Sequence, residues 1–341
     1  MNSMKKRDII VIGGSTGSLS VLKEMVKSLP ADLPSAIFIV WHIAPNSPGV
    51  LPEVLERFGS LPAVNAYNNQ KIETGRIYVA PPDHHLLVEE DFIKVSKGPK
   101  ENRFRPAIDP LFRSAAAAYG SRVVGVILSG GLDDGVAGLW TVKENGGIAV
   151  VQDPHDAENP SMPLSARKRV EVDYCVPGNE LADLLIRLCN EEVREKKQLM
   201  SSKSIKTDIE INIADGEEAL LKGVLELGPP SYFTCPECHG VLVEITEGKN
   251  IRFRCHTGHA YSSGTLLSEI AESVEDMLWN SIRAIDENIM LLKHLSNHLK
   301  EQDAELADIY EKEANKIYER SKKVRETVLK ISHPPLETGS L

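Results

Sequence analysis

The sequence predicts an α/β domain built on a doubly wound, mostly parallel sheet, followed by two smaller parts. Apolar runs rich in β-branched residues recur at 9–12, 36–40, 123–128, 148–151 and 174–176. Helix-like segments separate these runs, and alternation of strands and helices is typical of a parallel sheet covered by helices. A short Cys/His-rich stretch and a long helical stretch complete the chain.

The apolar runs are continuous rather than alternating, which indicates strands buried on both faces. Helices are predicted at 18–28, 109–119, 135–144 and 179–190. Residues 76–98 interrupt this alternation with β-rich runs at 76–80, 86–88 and 92–95, separated by turns. We expect these three runs to form a small antiparallel insertion.

Length and composition narrow the class of protein. A chain of 341 residues suggests about two domains, and its 42% hydrophobic and 26% charged residues are typical of a soluble protein. The net charge of −10 argues against binding to nucleic acid, because an acidic surface repels phosphates. The sequence lacks an apolar run near the ~18 residues that a membrane span needs. We expect no signal peptide, no membrane insertion and a cytoplasmic location, where five cysteines stay reduced.

Composition divides the chain into four predicted parts. They are an α/β domain at 5–192, a linker at 193–231, a Cys/His module at 232–263 and a helical tail at 264–332. The linker begins rich in Lys and Ser, which predicts partial disorder. Residues 265–331 contain neither Gly nor Pro and carry apolar residues at helical spacing. This pattern predicts a helical hairpin or coiled coil, with a bend at 300–305.

The first chemical motif is Gly13-Gly14-Ser15-Thr16-Gly17, between an apolar run and an amphipathic helix. It satisfies G-x-S-x-G, the nucleophile-elbow pattern, in which the flanking glycines allow a sharp turn that exposes the Ser hydroxyl. The alternative is a Gly-rich phosphate loop, although the spacing is not G-x-G-x-x-G and the P-loop Lys is missing. The motif by itself leaves both interpretations open.

Two further polar positions follow apolar runs. His42 ends the second run, and Asp133 and Asp134 come after the run at 123–128. Because the carboxyl ends of neighbouring parallel strands share one crevice, these side chains are expected near Ser15. An imidazole there can act as a general base, and a carboxylate can orient it. Taken singly, His42 has the alternative of a structural histidine, and the aspartates that of a helix N-cap.

Residues 8–190 resemble the catalytic domain of chemotaxis protein-glutamate methylesterases. The matching stretches are 12–17, 42–45, 78–85, 102–114, 125–130, 134–135 and 162–163. The resemblance implies that Ser15 is the nucleophile, His42 the base and Asp134 the residue that orients it. It implies a carboxylic-ester hydrolase that needs no catalytic cofactor and demethylates glutamyl methyl esters of chemoreceptors. Some family members also deamidate glutamine. The partner is then a methylated chemoreceptor or another signalling protein.

The sequence departs from the family pattern in two ways. We expect a catalytic domain without the receiver domain that commonly precedes it in the family. The loop that commonly reads Gly-Met-Gly-Asn-Asp-Gly contains Gly131, Leu132 and Asp133 here, so a second negative charge adjoins Asp134 and is expected to alter the pocket. These departures motivate an alternative: a non-catalytic signalling adaptor whose helical tail binds a partner or self-associates.

The Cys/His module carries four residues with the spacing of zinc ligands. Cys235 and Cys238 form one pair, and Cys255 and His259 form a second pair across a predicted hairpin. Three thiolates and one imidazole suit tetrahedral Zn²⁺ in a closed, structural site. His256 and His239 are alternatives for the fourth ligand. The stretch resembles the zinc-ribbon tail that follows some methylesterase-like domains.

The module is too short to bury a self-sufficient core, so the metal is expected to supply much of its folding free energy. Because a polar linker separates it from the α/β domain, we expect esterase activity to be independent of the metal.

Overall fold

The computed structural model describes residues 5–193 and 202–331, which form two compact units, one up to Leu266 and one from Leu267 onward. The strands are β1 (Lys5–Lys6), β2 (Ile9–Gly14), β3 (Ala36–Trp41), β4 (Ala63–Asn65), β5 (Gln70–Lys71), β6 (Arg76–Val79), β7 (His85–Val88), β8 (Phe92–Ser96), β9 (Val123–Ile127), β10 (Ile148–Gln152), β11 (Tyr174–Val176), β12 (Glu192–Val193), β13 (Pro230–Thr234), β14 (Val241–Glu247), β15 (Asn250–Cys255) and β16 (Ala260–Ser262). The α-helices are α1 (Ser18–Ser28), α2 (Leu51–Phe58), α3 (Ile108–Tyr119), α4 (Val136–Glu144), α5 (Ser161–Arg169), α6 (Leu181–Asn190), α7 (Ser202–Ala214), α8 (Ser263–Leu299) and α9 (Ala304–Ile331).

A seven-stranded parallel sheet, in the order β11-β10-β9-β2-β3-β6-β4, forms the centre of the first unit. Successive residues of β2 face opposite layers, because side chains alternate along a strand. Ile9 and Val11 pack with α3, α4 and α5, whereas Ile10 and Ile12 pack with α1, α2 and α6. The predicted doubly wound arrangement of a mostly parallel sheet is therefore confirmed.

The antiparallel insertion has three strands, as predicted, but one of them differs from the prediction. Strand β6 belongs to the main sheet, where it pairs in parallel with β3 and β4. Its residues Ile77, Tyr78 and Val79 are buried, as expected for a strand covered on both faces. The insertion consists of β5, β8 and β7, paired antiparallel.

Much of the predicted linker is structured. Partial disorder is predicted at 194–206. Residues 194–201 lie outside the described residues, but residues 202–206 are helical and begin α7. In this helix, Ile209 and Ile213 pack in one cluster with Val224, Leu227 and two residues of β14. The Cys/His module itself is a four-stranded antiparallel sheet in the order β13-β14-β15-β16.

The second unit contains most of α8 together with α9, which begins after a short connection within the predicted bend. Buried residues recur at intervals of seven, the period of a coiled coil: Ile282, Ile289 and Ser296 on α8, and Ala307, Ala314, Ser321 and Val328 on α9. The Ser296 hydroxyl donates to the Ala307 carbonyl at 2.9 Å and so links the two helices. Among the described helices, none combines the length and apolar content that a membrane span requires.

Candidate active site

Ser15 lies in the sharp turn between β2 and α1. Its backbone N–H donates to the Ser129 carbonyl (2.9 Å), and its carbonyl accepts from the Ser18 hydroxyl (2.6 Å) and the Trp41 indole (3.2 Å). Gly17 has a φ of 82°, and a Cβ there would lie 2.6 Å from the Ser129 hydroxyl. The turn therefore needs glycine at this position, and its hydrogen bonds fix the backbone that carries the Ser15 hydroxyl.

Gly130 keeps one side of Ser15 open. A Cβ on Gly130 would lie 2.9 Å from the Ser15 Cβ and 2.1 Å from the Met162 sulfur. The Gly130 N–H donates to the Asn159 carbonyl at 3.0 Å, and the Met162 N–H donates to the Gly130 carbonyl at 2.9 Å. The loop after β9 and the start of α5 thus meet beside the Ser15 side chain.

His42 follows β3, next to Ser15 across the sheet. The backbone N–H of His42 donates to the Gly14 carbonyl (3.1 Å). Its ring stacks on Phe104, with centroids 3.6 Å apart and an interplanar angle of 9°. Its Nε2 lies 2.9 Å from Asp134 Oδ2. Among the described residues, His42 Nδ1 is buried and has no hydrogen-bond partner. A proton on Nε2, donated to Asp134, leaves a lone pair on Nδ1 that can accept a proton.

Asp134 is buried, and its carboxylate is held by three donors. Oδ2 accepts from His42 Nε2 and from the Ile108 N–H at 2.7 Å, and Oδ1 accepts from Asn102 Nδ2 at 2.8 Å. The side chains of His42 and Asp134 are 3% and 1% exposed. The predicted residues His42 and Asp134 thus form a buried, hydrogen-bonded pair at the carboxyl edge of the sheet.

A second carboxyl group lies behind Asp134. Asn102 Nδ2 also donates to Asp109 Oδ2 at 2.9 Å, and the Gly138 N–H donates to Asp109 Oδ1 at 2.6 Å. Burial and the nearby charge of Asp134 raise the pKa of Asp109 to about 8. Burial and the charge of Asp134 therefore favour the neutral form of Asp109 over its carboxylate.

Asp133 points away from this pair. Its Oδ1 accepts hydrogen bonds from the hydroxyls of Ser262 and Thr265, and Arg169 NH1 donates to its Oδ2 at 2.5 Å. The charge of Asp133 is thus paired with Arg169 and faces the Cys/His module.

The four predicted metal ligands lie together. The Sγ atoms of Cys235, Cys238 and Cys255 and one ring nitrogen of His259 lie within 4.8 Å of one another. The separation is 3.6 Å between the Sγ atoms of Cys238 and Cys255, and 3.7 Å from His259 Nδ1 to the Sγ atoms of Cys235 and Cys255. In the described residues, neither His239 nor His256 belongs to this cluster.

Asn102 and Phe104 are site residues that the sequence analysis did not identify. Both lie in the stretch at 102–114 that carries the family resemblance, which was the available signal. Nothing in their residue types indicates a contact with Asp134 or with His42, because an Asn and a Phe in a loop have many ordinary roles. Their positions near the site depend on tertiary structure.

A buried cluster of charged side chains joins the module to the α/β domain. Arg254 NH2 on β15 donates to Glu101 Oε1 at 2.6 Å and to Glu210 Oε1 of α7 at 2.9 Å. Arg252 donates to both oxygens of Glu210 at 2.8 Å, and Arg113 of α3 donates to both oxygens of Glu101. Burial by itself raises the pKa of Glu101, but Arg113 and Arg254 outweigh this effect and hold it at about 2.

We expect Arg254→Met to lower the free energy of unfolding by about 3–5 kcal/mol, because it leaves two buried carboxylates short of a cation. Denaturation by urea measures this loss. Arg57→Met is the matched control, since Arg57 is exposed on α2, and we expect it to change stability by less than about 0.5 kcal/mol. Equal effects of the two substitutions would contradict a stabilising role for the cluster.

Comparison with known proteins gives a consistent result over the α/β domain. The sequence model of the CheB methylesterase family matches residues 10–185. A Leptospira interrogans protein, named as a candidate protein-glutamate methylesterase/protein-glutamine glutaminase, is 40% identical over 190 residues, covering 55% of this chain and 98% of that protein. A Methanosarcina acetivorans protein-glutamate methylesterase/protein-glutamine glutaminase is 33% identical over 190 residues, covering 53% of each chain.

A solved structure agrees with these matches. The crystal structure of the Thermotoga maritima CheB methylesterase catalytic domain superposes with a TM-score of 0.52 and 32% identity. The superposition covers 53% of this chain and 98% of that one. The segment matched by the family ends before the Cys/His module begins.

Proposed function

Because the chain belongs to the CheB methylesterase family, we propose that it is a protein-glutamate methylesterase with Ser15 as nucleophile, His42 as base and Asp134 as the residue that orients the imidazole. The observation that carries this proposal is the buried contact between His42 Nε2 and Asp134 Oδ2, next to the turn that presents Ser15. It leaves His42 Nδ1 as the nitrogen that can accept the Ser15 proton.

The reaction proceeds in two steps. Ser15 Oγ attacks the ester carbonyl carbon while its proton passes to His42 Nδ1, and the imidazolium then protonates the departing methoxide, which leaves as methanol. Water, deprotonated by His42, hydrolyses the acyl-enzyme and restores the serine and a free carboxylate. Asp134 keeps the Nε2 proton in place throughout. The N-terminus of α1 next to Ser15 supports the developing oxyanion through its dipole.

The proposed substrate is a glutamyl methyl ester on a chemoreceptor. The names of the relatives from Leptospira interrogans and Methanosarcina acetivorans support a glutamyl methyl ester of a protein as substrate, and they also support glutamine deamidation, in which ammonia leaves instead of methanol. The test uses the full chain and a synthetic helical peptide that carries one glutamyl γ-methyl ester. We expect release of methanol and a matching gain of one carboxylate by mass. A chain that leaves the ester intact would instead favour the non-catalytic adaptor.

We further propose that Cys235, Cys238, Cys255 and His259 bind one structural Zn²⁺. In tetrahedral geometry, Zn–S bonds of about 2.3 Å separate two sulfurs by about 3.8 Å, and a Zn–N bond of about 2.05 Å separates nitrogen from sulfur by about 3.6 Å. The observed separations, 3.6 Å between two sulfurs and 3.7 Å between nitrogen and sulfur, lie close to these values. His259 Nδ1 faces the sulfurs while its Nε2 lies 3.5 Å from Glu237 Oε2, an arrangement typical of a metal-bound imidazole oriented by a carboxylate. Zinc at this site would hold the two Cys-bearing turns together.

We expect the purified, reduced protein to contain about one zinc ion per chain, and Cys238→Ser to lose most of it, because four protein ligands close a structural site. Elemental analysis of both proteins measures this. Cys175→Ser is the matched control, since Cys175 is an exposed cysteine outside the cluster. Zinc-free wild-type protein, or equal zinc loss in both variants, would contradict the proposed site.

A further inference from the structure

Strand β16 of the Cys/His module contacts the residue that holds Asp134. The Asn102 N–H donates to the Ala260 carbonyl at 2.8 Å, and the Ser262 N–H donates to Asn102 Oδ1 at 2.7 Å. The NH₂ group of the Asn102 side chain donates to Asp134 Oδ1. Asn102 is 3% exposed, so solvent cannot replace these partners.

The direction of the Asn102 amide follows from these contacts. Its oxygen accepts the Ser262 N–H, so its NH₂ group must face the carboxyl groups of Asp109 and Asp134. A flipped amide would place its NH₂ against the Ser262 donor and its oxygen against the Asp134 carboxylate. The Ser262 N–H of the module thus fixes the amide orientation in which Asn102 donates to Asp134.

Other contacts fix β16 in this position. Glu101, the neighbour of Asn102, belongs to the buried charge cluster and is bound by Arg254 of the module. On the other side, the Ser262 hydroxyl donates to Asp133, the neighbour of Asp134. The loop residue that departs from the family pattern, Asp133, therefore contacts the module rather than the pocket.

We propose that Asn102 is a positioning residue for Asp134, and that the Cys/His module completes the active site by fixing Asn102 through the Ser262 N–H. This inference rests on the proposed esterase function. It replaces the expectation that the module and the esterase are independent, because that expectation assumed a separating linker. A folded module then becomes a requirement for full catalytic rate, which gives the chain a built-in point of control.

The first test compares wild-type protein with Asn102→Gly. Glycine tolerates the φ of 50° at this position and keeps the backbone bond to Ala260, so only the amide side chain is removed. We expect kcat to fall about 10- to 100-fold with KM nearly unchanged, since the amide touches no substrate. In ¹⁵N-histidine NMR, we expect His42 to change from a single Nε2–H tautomer to a mixture.

The second test isolates the module's contribution with two substitutions of Ser262. Both Ser262→Ala and Ser262→Pro remove the hydroxyl, but only Pro also removes the N–H that binds Asn102. We expect the kcat of Ser262→Pro to fall as far as that of Asn102→Gly, and the kcat of Ser262→Ala, which keeps the N–H, to fall clearly less. The double variant Asn102→Gly/Ser262→Pro should be no slower than Asn102→Gly alone, because both act through one amide. Circular dichroism and zinc content check that each variant is folded.

Three outcomes would overturn the inference: a wild-type tautomer and kcat in Asn102→Gly, equal kcat in the two Ser262 variants, or fully additive losses in the double variant. The tautomer measurement needs no substrate. If the chain releases no methanol but the tautomer still responds to Asn102→Gly, the proposed esterase function fails while the positioning role stands.

Discussion

Ser15→Ala is expected to lower the rate of ester hydrolysis by about 10⁴- to 10⁶-fold, because it removes the atom proposed to form the acyl-enzyme. The measurement is methanol release from the glutamyl methyl ester peptide at saturating substrate. Folding should be preserved, since the bonds that hold the turn are made by the Ser15 backbone rather than its hydroxyl. We expect the melting temperature to stay close to that of the wild type.

Ser28→Ala is the matched control for this substitution. Ser28 lies at the exposed end of α1, and within the described residues its hydroxyl binds only the Glu24 carbonyl of the same helix. It should retain full activity. A serine-reactive phosphonate should label the wild type and Ser28→Ala at Ser15, as mapped by mass spectrometry, and leave Ser15→Ala unlabelled at the site. Substantial hydrolysis by Ser15→Ala would show that another group is the nucleophile.

The main sheet could be predicted because its strands are buried on both faces. A strand such as β9 must be apolar at each position, so its sequence alone separates it from helices and loops. Strand β4 gives no such signal, because it has three residues and ends in Asn65. Assigning β6 to the main sheet needed the partner strands β3 and β4, which no local pattern identifies.

The candidate site could also be predicted only in part from the sequence. Ser15, His42 and Asp134 each follow a predicted strand, and parallel strands bring their carboxyl ends to one edge, so topology alone places them near one another. The contacts that hold Asp134 in place could not be predicted in this way, because Asn102 and Ser262 are 160 positions apart in sequence. Arg252 and Arg254 have the spacing of an ordinary exposed strand face, and only the structure reveals that they are buried against Glu101 and Glu210.

Asp134→Asn is expected to lower kcat by about 10⁴-fold, far more than Asp133→Asn. Asp134 Oδ2 accepts two N–H groups, from His42 and Ile108, and Oδ1 accepts a third from Asn102. An amide in this position must direct its NH₂ at one of these donors. If it faces His42, the imidazole can accept that bond only by moving its proton to Nδ1, the nitrogen proposed to take the Ser15 proton.

Asp133→Asn is the matched comparison, since it makes the same change from carboxylate to amide one residue earlier. Asparagine at 133 weakens the pairing with Arg169 but leaves the bonds of Asn102 to Ser262 and Asp134 untouched. We expect a loss of kcat of no more than about tenfold, with the Nε2–H tautomer of His42 retained. Steady-state kinetics and ¹⁵N-histidine NMR on both variants measure the two effects together. Equal losses, or a larger loss at Asp133, would contradict the role of Asp134 in orienting the base, since both substitutions remove one negative charge but, of the two aspartates, Asp134 is the one that contacts His42.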